Sequence, residues 1–158
     1  MTDTSTLPPP VAVRRLREAD REEWRRLWTA YLAFYDTTVP EEVYRTTFAR
    51  ILAGNAGTPN EYRGLIAERD GRAIGIVHYL FHRHCWQVAD VCYLQDLYVD
   101  EDVRGSGAGR ALIEAVYAAA DADGSPFVYW TTQHYNETAR KLYDRIGTVS
   151  PFIKYMRY

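Results

Sequence analysis

The residues Arg104-Gly105-Ser106-Gly107-Ala108-Gly109-Arg110 carry the clearest chemical signal in this chain. They follow an apolar run, Tyr93 to Val99, and lead into a helical pattern from Ala111 to Ala122. Strand, glycine-rich turn and helix in that order aim unpaired backbone N–H groups at a phosphate. Glycines at alternate positions let the main chain approach a bulky anion where side chains would collide. Two familiar phosphate loops do not fit. A P-loop needs Lys and then Ser or Thr after its last glycine, whereas Gly109 is followed by Arg110 and Ala111. The dinucleotide fingerprint G-x-G-x-x-G would require a glycine at Arg110 or at Leu112. What remains is the frame R-x-x-G-x-G, read as Arg104, Gly107 and Gly109.

The elements that must position this loop are legible in outline. Val11 to Arg17 alternates like a short edge strand. Asp20 with Glu23 has the spacing of a capping box, ahead of Trp24, Leu27, Trp28, Tyr31, Leu32 and Tyr35 at helical spacing. Pro40 opens a second helix carrying Val43, Tyr44, Phe48, Ile51 and Leu52. Strands are predicted at 62–68, 73–81 and 86–99, the first two joined by an Asp70-Gly71 hairpin turn. After the loop come a helix with Leu112, Ile113, Val116, Tyr117 and Ala120 on one face, then a strand at 126–132. Asn136 next caps a helix bearing Ala139, Leu142, Tyr143 and Ile146, and a last strand is predicted at 152–158. The order is β-α-α-β-β-β-α-β-α-β. Antiparallel hairpins come first, and a β-α-β crossover then gives one parallel pair.

Composition narrows the function. A chain of 158 residues, 47% hydrophobic, suits one domain over 11–158, with residues 1–10 read as a flexible leader. A formal net charge of −2 provides no basic field for nucleic acid, and the arginines from Arg14 to Arg26 read as solvated surface. No apolar run approaches a membrane span or the core of a signal peptide, and Cys85 and Cys92 form no framework. A cytoplasmic protein is expected. His82, His84 and Cys85 offer three possible metal ligands within four residues but lack a fourth, so no metal is expected.

Beyond the loop, Leu97-Tyr98-Val99, Trp130-Thr131-Thr132 and Asn136-x-x-Ala139-x-x-Leu142-Tyr143 stand in the order and at the intervals of the GNAT N-acetyltransferases. The resemblance spans about residues 11–158. Trp24, Trp28, Phe34-Tyr35 and the ending Phe152-Ile153-Lys154-Tyr155 look like its histone and polyamine acetyltransferase branch. It implies an α+β fold with a central, mostly antiparallel sheet, one splayed parallel pair and about four flanking helices. It also implies acetyl-CoA as co-substrate and a primary amine, on a small molecule or a protein lysine, as acceptor. Main-chain groups of Leu97, Tyr98 and Val99 would pair with the pantetheine arm, and Arg104, Gly105, Ser106, Gly107, Ala108, Gly109 and Arg110 would cradle the pyrophosphate. Asn136, with Ala139 beside it, either caps its helix, contacts the CoA arm, or does both.

In the same resemblance Tyr143 is the proton donor to the departing thiolate. Where polyamine-acetylating relatives carry an acidic pair, this chain has Gln95-Asp96, so a base at Gln95 is lost. Asp96 is left to deprotonate or bind the amine, and strand alternation predicts that Gln95 and Asp96 face opposite ways. Gln95, Asp36 and Trp130 are candidate substrate contacts, with Glu41 and Glu42 behind them. A non-catalytic acyl-CoA sensor of the same fold is the alternative function. A homodimer is a further expectation, because the terminal strand would otherwise be an exposed edge.

Overall fold

Apolar residues on both faces of one sheet, and on one stripe of each helix, dictate a three-layer arrangement. A computed structural model describes residues 9–158, and most of the expected leader (residues 1–8) lies outside the described residues. The sheet has five strands in the order β1 (Ala12–Arg15), β2 (Arg63–Arg69), β3 (Arg72–His82), β4 (Val91–Val99) and β5 (Val128–Tyr129). All neighbours are antiparallel except β4 and β5. Helices α1 (Arg21–Phe34) and α2 (Glu41–Asn55) cover one face, where Trp24, Leu27, Phe48 and Ile51 pack on Ile66 and Ile76. Helices α3 (Ala108–Asp123) and α4 (Glu137–Ile146) cover the other, where Leu112, Ile113 and Val116 pack on Leu65, Val77 and Leu94.

The β2–β3 turn forms as its sequence requires, with Asp70 and Gly71 both at positive φ, 54° and 72°. α1 stops because Asp36 takes φ 52° and the Thr37 N–H closes on the Leu32 carbonyl at 3.0 Å. The predicted capping box does not form. Arg14 clamps the Asp20 carboxylate with two bonds of 2.7 Å, and the Arg17 N–H donates to it at 2.8 Å, so no side chain caps α1. The charge-assisted Arg14 pair, with the Arg17 N–H, turns that carboxylate away from the first-turn N–H groups of α1.

Three strand expectations are corrected. The run at 86–99 is a strand only from Val91 onward, residues 86–90 forming turns and bends. Only Val128–Tyr129 of the run at 126–132 pairs, because β5 leaves β4 after two registered positions. The segment at 152–158 forms no strand. It pairs with no strand among the described residues, and Phe152, Ile153, Tyr155 and Tyr158 stand exposed.

Gly54 lets α2 lie against the segment that leads into β2, since a Cβ there would sit 1.9 Å from the Tyr62 carbonyl oxygen. Gly54→Ala should destabilise the fold by about 2–3 kcal/mol, read as a lower midpoint in urea denaturation. An unchanged midpoint would show that this approach is not tight.

Candidate active site

The parallel pair opens at its midpoint. β4 and β5 pair at Cys92–Val128 and Tyr93–Tyr129 and then separate, while β4 runs on to Val99. The outer edge of β4 beyond Tyr93 therefore lacks a neighbouring strand, leaving main-chain donors and acceptors for an extended ligand. Leu97, Tyr98 and Val99 lie on this open stretch, each half-buried.

The Arg104–Arg110 loop follows directly. Gly105 and Gly107 take φ of 81° and 88°, conformations that L side chains rarely adopt, and a Cβ at either would meet only open space. Gly107 is the N-cap of α3, with no side-chain cap, and the first helical bond runs from the Ala111 N–H to the Gly107 carbonyl at 2.9 Å. The N–H groups of Ala108, Gly109 and Arg110 precede that bond. Open space, glycine conformation and uncapped donors on a 16-residue helix fit a polyphosphate group. The two arginines have other contacts. Arg104 Nε donates to the Val99 carbonyl at 3.2 Å with its guanidinium near Phe34 and Tyr98, and Arg110 pairs with Glu114 at 2.8 Å.

A β-bulge shapes the other side of the cleft. His78 pairs with Asp96 and Tyr79 with Leu94, so Gln95 is the extra residue of β4. Cys92 and Leu94 belong to the core under α3, but two residues further on Asp96 meets Trp28 on the α1 face, with Tyr98 beyond it in that core. The bulge thus flips the strand's alternation and turns Asp96 to the α1–α2 face. Gln95 remains on this side, accepting a hydrogen bond from the Tyr62 hydroxyl. Simple alternation put the two residues on opposite faces; the structure overturns that expectation.

Asp96 is 7% exposed and sits in a defined network. The Trp28 Nε1–H donates to its Oδ2 at 3.2 Å, and His78 Nδ1 lies 2.9 Å from the same oxygen. The Trp24 Nε1–H donates to His78 Nε2 at 2.9 Å. An indole N–H can only donate, so Nε2 must accept and Nδ1 must carry the proton given to Asp96. Burial pushes the Asp96 carboxyl up. The His78 hydrogen bond and electrostatics, with Tyr31 and Trp28, outweigh it and hold the carboxyl below the ordinary range. Burial, followed by the Asp96 charge, raises the pKa values of Tyr31, Tyr35 and Tyr62, so these hydroxyls stay protonated around the carboxylate. Tyr93 stacks on Tyr129 at 4.9 Å, at the point where the strands part.

Tyr143 stands on the α4 side of the opening, its ring 5.5 Å from that of Trp130. Burial, with a smaller contribution from Tyr35, pushes its pKa up to about 12. Trp130 also lies under Gly147, where a Cβ would come within 2.9 Å of its ring. Asn136 caps α4, its Oδ1 accepting from the Ala139 N–H at 3.3 Å. Asp36 is exposed and serves the turn after α1, while Glu41 pairs with Arg25 at 2.7 Å. His78, Trp24, Trp28, Tyr31 and Tyr62 were not foreseen as site residues. Without the register of the bulge, the two tryptophans and His78 read as ordinary core.

A sheet parted over an uncapped helix start, with a buried carboxylate on the opposite face, is acyltransferase architecture. The sequence profile of the acetyltransferase (GNAT) family matches residues 15–148. The D-amino-acid N-acetyltransferase HPA3 of Saccharomyces cerevisiae is 41% identical over 148 residues, 93% of this chain and 90% of that protein. Among solved structures, the aminoglycoside N-acetyltransferase AAC(6')-Iy in complex with CoA superposes with a TM-score of 0.79 at 19% identity, covering 95% of each chain. The ribosomal-protein-alanine N-acetyltransferase of Brucella melitensis gives 0.75 at 20% identity, over 94% of this chain and 99% of that one. The chain belongs to the GNAT acetyltransferase family and is an N-acetyltransferase, moving an acetyl group to an amine. No helix among the described residues is long and apolar enough to cross a membrane.

The depressed pKa of Asp96 has a signed consequence. Its stabilisation is complete above the unfolded carboxyl value, near pH 4, and is lost as pH falls through the lower folded value. Asp96→Asn should therefore trail the wild type most at neutral pH, with the gap narrowing below about pH 4. Urea denaturation at several pH values measures it, and a gap independent of pH would refute the coupling.

Proposed function

We propose that this enzyme transfers acetyl from acetyl-CoA directly to a small primary amine, with both substrates bound in one ternary complex. The amine enters from the α1–α2 face and the thioester lies along the free edge of β4. Asp96, held as an anion by His78 and Trp28, attracts and orients the ammonium form of the acceptor. A carboxylate kept below its ordinary range is a weak base, so water takes one proton from the ammonium before the free amine attacks and a second from nitrogen as the tetrahedral adduct collapses. The amine nitrogen bonds to the thioester carbon, the carbon–sulfur bond breaks, and Tyr143 hydrogen-bonds to the departing thiolate. Its raised pKa keeps that proton in place at neutral pH. Uncapped N–H groups from Ala108 to Arg110 hold the pyrophosphate, aided by Arg104 and Arg110, and Asn136 serves the CoA arm beside Ala139.

The observation carrying this reading is the placement of Asp96, a buried carboxylate among Tyr31, Tyr35 and Tyr62. A single anion among aromatic rings suits one ammonium on an apolar or aromatic body, rather than a long basic peptide in an open groove. The yeast relative's name supports a free amino acid, in the D configuration, as the acceptor. Gln95, Trp130 and Asp36 are assigned as further acceptor contacts in this reading. Purified protein should release CoA thiol from acetyl-CoA with D-amino acids carrying aromatic side chains. Tyr143→Phe should lower turnover about 100-fold with nearly unchanged acetyl-CoA affinity. CoA binding without thiol release on any amine would favour an acyl-CoA sensor, and unaltered turnover in the mutant would remove the hydrogen bond from Tyr143 to the thiolate as a contributor.

The exposed segment 148–158 further supports a homodimer. Val149, Phe152, Ile153 and Tyr155 are each more than 70% exposed within one chain, an apolar strip that a second copy would cover. Light scattering should give twice the monomer mass, and the monomer mass after removal of residues 148–158. A wild-type monomer at micromolar concentration would refute the dimer.

A further inference from the structure

Behind the phosphate loop stands a cation that the R-x-x-G-x-G frame does not include. Arg69 ends β2, immediately before the Asp70-Gly71 turn, and its Nη2 donates to the main-chain carbonyl of Ser106 at 3.3 Å. Its Nε is buried without a partner, and so is Ser106 Oγ. Arg69 itself forms no ion pair among the described residues, while Glu68 pairs with Arg14, Asp102 with Arg72 and Glu101 with Arg104. Among the described residues Arg69 thus has no counter-ion, although a half-buried guanidinium is unfavourable without one.

The contact with Ser106 has a directional effect. In a planar trans peptide the carbonyl and the following N–H point opposite ways. Tethering the Ser106 carbonyl to Arg69 therefore turns the Gly107 N–H away from the hairpin, toward the outer side of the loop. That N–H makes no hydrogen bond among the described residues. Gly107 holds φ 88°, so this orientation is one the glycine can adopt but does not by itself enforce.

We infer that Arg69 is a positioning residue for the acyl donor. Its hydrogen bond locks the Ser106–Gly107 peptide plane so that the Gly107 N–H faces the donor's pyrophosphate, and its unpaired charge attracts that anion from behind the loop. This rests on acetyl-CoA being the donor, as proposed above, and assigns Arg69 to donor affinity rather than to the transfer step.

The test compares acetyl-CoA with S-acetylpantetheine, which keeps the thioester and pantetheine arm but lacks the nucleotide pyrophosphate. Arg69→Met should raise KM for acetyl-CoA about tenfold with kcat falling less than twofold. Its kcat/KM for S-acetylpantetheine should remain within twofold of wild type. Arg69→Lys, keeping the charge and one donor, should recover part of the lost affinity. An unchanged KM for acetyl-CoA would overturn the inference, as would equal losses with both donors, the pattern of general destabilisation. A wild type that turns over neither donor would instead refute the proposed activity.

Discussion

A single indole hydrogen bond governs the buried polar network on the α1–α2 face of this enzyme. Trp24 donates to His78 Nε2, which obliges the His78 proton to sit on Nδ1, where it meets Asp96. Deprived of that donor, His78 could carry its proton on either nitrogen, and Asp96 would lose the partner that offsets its burial. The three groups come from α1, β3 and β4, so one chain of hydrogen bonds ties a helix to the middle of the sheet. Trp24 is also stacked against Trp28 at 5.3 Å, and Trp28 supplies the other indole donor to the carboxylate. The apolar core of this layer and the polar floor of the cleft are therefore the same residues, oriented twice over. A buried charge is tolerable here because each donor is fixed by packing before any substrate arrives.

The second constraint is the early parting of β4 and β5. A sheet edge exposed in the interior of a fold is a liability unless a ligand or another chain completes it. Here the two strands pair only at Cys92–Val128 and Tyr93–Tyr129, where the two tyrosine rings stack, while the connecting helix α3 starts beside the open end. The same divergence that frees the edge of β4 places an uncapped helix start at its far end. An elongated donor thus meets backbone hydrogen-bonding groups along its arm and a concentration of N–H donors at its charged end.

Much of this was legible in the sequence, and the failures have physical causes. The loop, the hairpin turn, the helix faces and the single parallel crossover follow from local patterns, and they form at or near the expected positions. What could not be read depended on pairing between distant strands. The bulge at Gln95 leaves no local mark, yet it reverses which face Asp96 occupies and brings His78 opposite it. Asp20 had the spacing of a helix cap, but a guanidinium six residues earlier in the chain took its carboxylate. The final apolar segment has the composition of a strand but pairs with none among the described residues. Arg69 carries no sequence signal beyond its place beside the Asp70-Gly71 turn, since only the three-dimensional hairpin brings it to Ser106.

The sheet also separates two inventories of residues. The groups around Asp96 belong almost wholly to α1, α2 and the strand faces beneath them, whereas the loop and the helix behind it belong to the opposite core. With the acceptor over Asp96 and the donor on the glycine-rich loop, as proposed, substitutions that reshape one side need not disturb the packing behind the other. Such a partition makes the architecture evolvable. New amines can be adopted by drift on one layer while the other stays under constant selection for a shared donor, and only residues at the seam, such as Tyr35 and Tyr143, answer to both.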